Sequence, residues 1–295
     1  VNQFRWPPPP DGTPRRVRPR YAAPRSARPA PLAAATELVA TPHGVTLERL
    51  VTGIGDPVTI FAHGLAQGIA ETRVYGSGVT GRRVFFQFRG HGRSDAPEAG
   101  WTYADLARDL RTIADLSGAT RALGVSLGAG ALCRLLVESP NRFERLVFVL
   151  PAVLDHRGTP ASRDRITTLL EALASGDIGQ LANQLVAEVP KTFRNAAPGW
   201  AYVRQRLDSL LRDGLAPGVA AFAEQTAVAN AAVLSSVTAP ALVIGCLGDE
   251  LHPVSVAEEL AAVLPGAELQ IYQRPALLWT ERADLRERIT SFLNQ

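Results

Sequence analysis

One short group of residues has the makings of a nucleophile: Gly124-Val125-Ser126-Leu127-Gly128. It follows the apolar run 122–125 and opens the helix-patterned stretch 127–138, so it reads as a strand–turn–helix junction. A chain turning this sharply would press side chains two positions either side of Ser126 into neighbouring backbone. Glycine at 124 and 128 removes that overlap. The turn lifts the Ser126 hydroxyl above the sheet, and the helix behind it points its first backbone N–H groups at the place where an oxyanion would develop. The competing interpretations are a glycine-rich turn of purely structural use and a nucleotide loop. The second lacks the lysine of a phosphate loop, and the pentapeptide does not match Gly-X-Gly-X-X-Gly.

Such a turn needs a scaffold, and from Glu37 onward the chain alternates apolar strand patterns with helical ones, the signature of an α/β layer fold. Strands are predicted over 45–51, 58–62, 84–88, 122–125, 146–150, 241–246 and 269–272. The run 58–62 is wholly apolar, as a central parallel strand is. Helices are predicted over 102–116, with Thr102 as cap, and over 127–138, 254–264 and 282–292. Between Asp155 and about Val237 the strand signal disappears and the chain becomes Ala-, Leu- and Gln-rich, with helical patches at 166–174 and 178–189. This predicts a mostly parallel central sheet with helices on both faces and an all-helical cap inserted over about 155–237, within a domain spanning 37–294.

Composition excludes several classes. Of 295 residues, 46% are hydrophobic and 20% charged, ordinary values for a soluble globular protein. No apolar run approaches the ~20 residues of a membrane helix. The net charge of +3 is uneven: residues 1–35 hold seven Arg against one Asp, which leaves −3 for the rest. The body is mildly acidic, so no nucleic-acid partner is implied. Two cysteines, Cys133 and Cys246, fall in apolar stretches and read as buried thiols rather than a disulfide framework. Residues 1–36, rich in Pro and Arg, cannot form a core and are expected to be a disordered or polyproline-like tail. They contain no apolar secretory segment. A solvated tail or a stretch upstream of the true start is expected in preference to a functional basic arm. The expected location is cytoplasmic.

Three segments taken together, Phe61-Ala62-His63-Gly64, then Phe88-Arg89-Gly90-His91-Gly92-Arg93-Ser94, then Gly124-Val125-Ser126-Leu127-Gly128, resemble the α/β-hydrolase superfamily over residues 40–294. The resemblance implies that the turn at His63-Gly64 lets the Leu65 amide join the Leu127 amide in an oxyanion hole. It implies that His63 is structural and that the segment containing His91 is a structural turn near the site mouth. It also implies that the cap covers the serine and shapes a pocket for a small or medium ester, lactone or related carbonyl compound. Phe193, Trp200, Tyr202 and Phe222 would either line that pocket or form the cap's own core. No cofactor or metal is implied, the substrate is expected to be an apolar small molecule, and the sequence leaves the oligomeric state open.

A serine hydroxyl attacks only when a base takes its proton and an acid orients the base. The resemblance places the acid after strand 241–246, which points to Asp249, with Glu250 as neighbour and Asp155 as a weaker choice. It places the base in the loop after the last strand, where Ala276 stands instead and no histidine follows His252. Three interpretations follow. His252, three residues beyond Asp249, serves as base, although relatives carry a His-Pro here as a helix-start feature. Alternatively, Ser126 and the oxyanion hole act alone, or hydrolysis has been lost and the scaffold binds a ligand. A dehalogenase of this fold would need a carboxylate at 126, and a cofactor-free peroxidase would still need the triad.

Overall fold

Eight strands build one sheet: β1 (Glu37–Ala40), β2 (Thr46–Thr52), β3 (Val58–Ala62), β4 (Arg82–Phe86), β5 (Arg121–Val125), β6 (Arg145–Val149), β7 (Ala241–Cys246) and β8 (Ala267–Tyr272). The computed structural model describes residues 35–98, 101–213 and 215–295. The expected tail therefore lies, up to residue 34, outside the described residues. The spatial order is β1-β2-β4-β3-β5-β6-β7-β8. β2 is antiparallel to β1 and β4, and every other pair is parallel. β3 and β7 are buried along their whole length, as strands covered on both faces must be.

The helices are α1 (Ile69–Thr72), α2 (Tyr103–Ser117), α3 (Leu127–Glu138), α4 (Pro160–Ser175), α5 (Ile178–Ala187), α6 (Ala197–Asp213), α7 (Val254–Val263), α8 (Leu277–Thr280) and α9 (Arg282–Leu293). Local chemistry sets their ends. Thr102 and Asp105 form a capping box on α2, and Gly118 closes it in the left-handed conformation at φ 67°. Asp177 caps α5 by accepting from the Gln180 amide at 3.0 Å. Leu106, Leu110, Leu132, Leu135, Val256 and Leu260 bury the α2–α3–α7 layer against one sheet face. Tyr75, Leu285, Ile289 and Phe292 cover the other.

α4, α5 and α6 form the inserted cap, with an apolar core of its own that includes Leu181, Leu185, Val203, Leu207 and Leu210. The chain leaves the cap by pairing Leu215 with His91 and by donating the Ala216 amide to the Gly90 carbonyl at 3.1 Å. Two 3-10 turns, Pro217–Glu224 and Ala231–Ser236, then lead to β7. Their Val219, Phe222 and Leu234 join the body's core.

Some boundaries differ from expectation. β4 stops at Phe86 rather than at residue 88 because the Phe88 amide donates to His63 Nε2 at 2.9 Å instead of to a strand. β1 carries no alternating apolar signal, since it is an edge strand held only by β2. The cap aromatics go into packing. Phe222 packs edge-on against Tyr103, while Phe193 and Tyr202 pack on Trp279 of α8, with ring centroids 5.4 and 5.3 Å apart. Among the described residues no helix is long and apolar enough to cross a membrane.

Candidate active site

Ser126 sits between β5 and α3 at φ 50°, ψ −109°, a conformation unfavourable for any side chain-bearing residue. Packing and hydrogen bonds hold it there. Its amide donates to the Val149 carbonyl of β6 at 2.9 Å, and its carbonyl accepts from Gly130 at 3.1 Å. A Cβ on Gly124 would lie 2.5 Å from the Gly128 carbonyl oxygen, and one on Gly128 would lie 2.4 Å from that of Ala62. Both distances are closer than real contacts, so the bend requires glycine on both sides. Leu127 is the first residue of α3, so its amide has no partner within the helix.

The loop at Gly64–Gly68 faces the same junction: a Cβ on Gly64 would come 3.4 Å from Ser126 Cβ. It is closed by Gln67, whose amide donates to the Gly64 carbonyl at 3.1 Å and whose Oε1 accepts from the Gly64 amide at 3.3 Å. Ala66 takes the left-handed conformation at φ 55°. Leu65 lies between these fixed points and is half-buried.

The loop after β7 carries the other two groups. Asp249 Oδ1 accepts from the amides of Leu251 and His252, at 3.0 and 3.2 Å. Its Oδ2 lies 3.0 Å from His252 Nδ1. On the far side of the ring, His252 Nε2 lies 3.0 Å from Ser126 Oγ. With Nδ1 protonated toward the carboxylate, Nε2 is left as an acceptor for the serine proton. Burial pushes the Asp249 carboxyl up. The hydrogen bond and charge of His252, with the two backbone donors, outweigh that and hold it below the usual carboxylate range. His252 and Asp249 are partly exposed, at 17% and 19% of their side chains.

The other four histidines are engaged elsewhere. His63 is fully buried, with Nδ1 on the Gly64 carbonyl at 2.8 Å and Nε2 on the Phe88 amide at 2.9 Å. Burial and nearby His91 hold its pKa well below the ordinary value. His91 is buried with Nδ1 on the Arg89 carbonyl, and burial lowers it to about 4. The turn around it is anchored by Arg89, whose guanidinium makes two hydrogen bonds to buried Asp109, at 2.9 and 2.7 Å. His43 reaches the same carboxylate, and His156 faces Asp155 and Glu259. Asp155 receives the Ala231 amide at 2.9 Å and the His156 ring at 3.2 Å. Those contacts tie it to the connection returning to β7.

Ala276, where the resemblance expects histidine, is in the left-handed conformation at φ 66° and begins α8. The Cys246 thiol donates to the Arg274 carbonyl at 2.8 Å and so joins this loop to β7. Trp279 of α8 packs into the cap's aromatic group. Among the described residues no cluster of three or more His, Cys, Asp or Glu side chains is arranged to hold a metal ion. A pocket of about 70 Å³ adjoins the loop at Gly64–Gly68, and a shallower one of about 380 Å³ lies between α1 and α6. Ser126 lines neither of them.

Residues 51–274 match the alpha/beta hydrolase fold family, and the chain belongs to it. A comparison with curated proteins gave no match. Solved structures share the fold at low identity. A hydrolase from Pseudomonas aeruginosa PA01 has 23% identity and a TM-score of 0.71, with 89% of this chain and 100% of that one covered. The enol-lactonase from Burkholderia xenovorans LB400 has 19% identity and a TM-score of 0.73, with 88% and 100% covered. An esterase, EaEST, from Exiguobacterium antarcticum has 18% identity and a TM-score of 0.70, with 88% and 99% covered.

Proposed function

We propose that the protein is a serine hydrolase that cleaves a small carboxylic ester, lactone or related carbonyl compound. Ser126 is the nucleophile, His252 the general base and Asp249 its orienting acid. The amides of Leu65 and Leu127 hold the oxyanion. The observation that carries this reading is the continuous path from Ser126 Oγ to His252 Nε2 at 3.0 Å and from His252 Nδ1 to Asp249 Oδ2 at 3.0 Å. Both distances lie within hydrogen-bond reach, as general-base catalysis requires. The base comes from the same loop as the acid, three residues along, so Ala276 does not imply a missing relay.

Ser126 Oγ attacks the carbonyl carbon as its proton passes to His252 Nε2. The imidazolium formed is stabilised by ionised Asp249, and the new oxyanion by backbone N–H groups. His252 then gives its proton to the departing alkoxide. A water molecule, deprotonated by the same nitrogen, then attacks the acyl carbon, and His252 returns that proton to Ser126 Oγ as the acyl–oxygen bond breaks and the acid leaves. The enol-lactonase and the esterase of the same fold support an ester or lactone as substrate class.

A fluorophosphonate probe tests the reading: it labels the native protein, and Ser126→Ala abolishes labelling. Equal labelling of both proteins removes the proposal. The second reading, a ligand-binding protein without turnover, draws on Ala276. It requires saturable ligand binding with no hydrolysis across a broad ester panel.

A further inference from the structure

The loop that carries Leu65 is attached to the cap as well as to the body. Ala66, its middle residue, is 4% exposed and belongs to the cap's apolar core, with Leu181, Leu185, Leu207 and Leu210. The end of the loop is held by Glu71 of α1. Glu71 Oε2 accepts from the Gly68 amide at 3.0 Å, and Thr72 Oγ1 donates to the Gly68 carbonyl at 2.7 Å. The other carboxylate oxygen, Oε1, faces Nη1 of Arg206 from cap helix α6 at 3.5 Å.

Arg206 is a buried cation between two acids on different parts of the fold. Its side chain is 4% exposed, against 14% for Glu71 on the body and 24% for Glu188 at the end of α5. Its Nε lies 3.9 Å from Glu188 Oε2, which also receives the Tyr202 hydroxyl at 2.6 Å. Burial works against the charged guanidinium, and Glu188, Tyr202 and Glu71 together outweigh it. Lifting the cap would carry Arg206 and Glu188 away together. It would leave Glu71, the residue that fixes Gly68, without its cation. The pocket of about 70 Å³ lies beside this contact, bordered by Ala66, Gln67, Gly68 and Glu71 of the body and by Ser209 and Leu210 of α6.

We propose that Arg206 is a positioning residue that couples the seating of the cap to the oxyanion loop through Glu71, so that turnover at Ser126 requires a closed cap. This rests on the serine-hydrolase reading above. A substrate that draws the cap down sets the Leu65 amide, and one too small to engage the cap binds without gaining the same rate. Binding energy gathered at the cap then appears in kcat rather than in KM.

The test is Arg206→Met, which keeps length and apolar volume, together with Arg206→Lys, Glu71→Gln and the Met/Gln double variant. The assay is steady-state hydrolysis of p-nitrophenyl butyrate, with active sites counted by fluorophosphonate. Displacing a catalytic group by about an ångström costs on the order of 100-fold in rate. The expected result is therefore a fall in kcat of about 10- to 100-fold in Arg206→Met, with KM changed less than about threefold and active-site count unchanged. Arg206→Lys recovers most of the rate. Glu71→Gln, which retains an acceptor for Gly68, matches Arg206→Met, and the double variant is no worse than either single one. If Arg206→Met does not fold, Glu71→Gln gives the same reading of kcat against KM. An unchanged kcat, a loss confined to KM or to active-site count, or additive losses would overturn the proposal. Ser126→Ala separates the two failures. If it is inactive while the Arg206 variants are normal, only the coupling fails; if it is active, both fail.

Discussion

Replacing His252 by Ala removes the imidazole that, alone among the described residues, meets Ser126. The ring bridges two 3.0 Å contacts, one to Oγ and one to Asp249 Oδ2, so the variant loses the proton acceptor and isolates the acid from the nucleophile. No other histidine replaces it: His43 and His156 are paired with acids, and His63 and His91 are buried on backbone partners. Loss of the base in a serine relay costs roughly 10⁴- to 10⁶-fold in kcat. At about 1.36 kcal/mol per decade, that is some 5–8 kcal/mol of transition-state stabilisation. Because serine and base act as one unit, Ser126→Ala, His252→Ala and the double variant should fall within about tenfold of one another. His252 is 17% exposed, so free imidazole should enter the space left in His252→Ala and restore part of the rate. The assay is kcat/KM for p-nitrophenyl esters, corrected for active-site count and compared with the uncatalysed rate. A His252→Ala protein that keeps more than a tenth of native kcat/KM would refute the relay.

Three further outcomes are expected. Asp249→Asn should lower kcat by roughly 10⁴-fold, because an amide NH₂ opposite Nδ1 favours the tautomer that cannot accept the Ser126 proton; a loss under tenfold would show that the acid does not orient the ring. Ala276→His in the native background should change hydrolysis less than about threefold, since on the proposed reading His252 serves Ser126 as base; turnover appearing only in that variant would favour the ligand-binding reading. Stability should fall on acidification, because burial holds His91 near 4 against 6.5 for the free group. The unfolded chain binds a proton that the folded one refuses between those values. The stabilisation is full above about pH 6.5 and declines toward pH 4, by up to about 3 kcal/mol. Urea unfolding at pH 7 and 4.5 reads this, and His91→Asn should flatten the slope. His63, lowered for the same reason, keeps some slope in the variant; an unchanged slope would remove His91 as a contributor.

Much of the scaffold was legible because its signals are local. The apolar run of β3, the Thr102 cap of α2 and the glycines flanking Ser126 each act within a few residues. The boundaries that moved were set by distant partners. β4 ends where the Phe88 amide turns to His63, and the cap aromatics Phe193 and Tyr202 gather on Trp279, some eighty residues later in the chain. The role of Arg206 left no signal at all, because an arginine on an amphipathic helix reads as solvent-facing until the acid it meets on α1 is known.

By itself the sequence determined the α/β architecture, the sharp bend at Ser126, the inserted helices, and the missing histidine after the last strand. Those features depend on side-chain periodicity and on glycine's freedom of backbone rotation, which adjacent residues express. It left open whether His252 caps a helix or faces the serine, since residues 126 apart in the chain carry no mark of their distance in space. Only the folding of the β7 loop over the end of β5 decided that, by turning the ring on two backbone hydrogen bonds to Asp249 until Nε2 met the Ser126 hydroxyl.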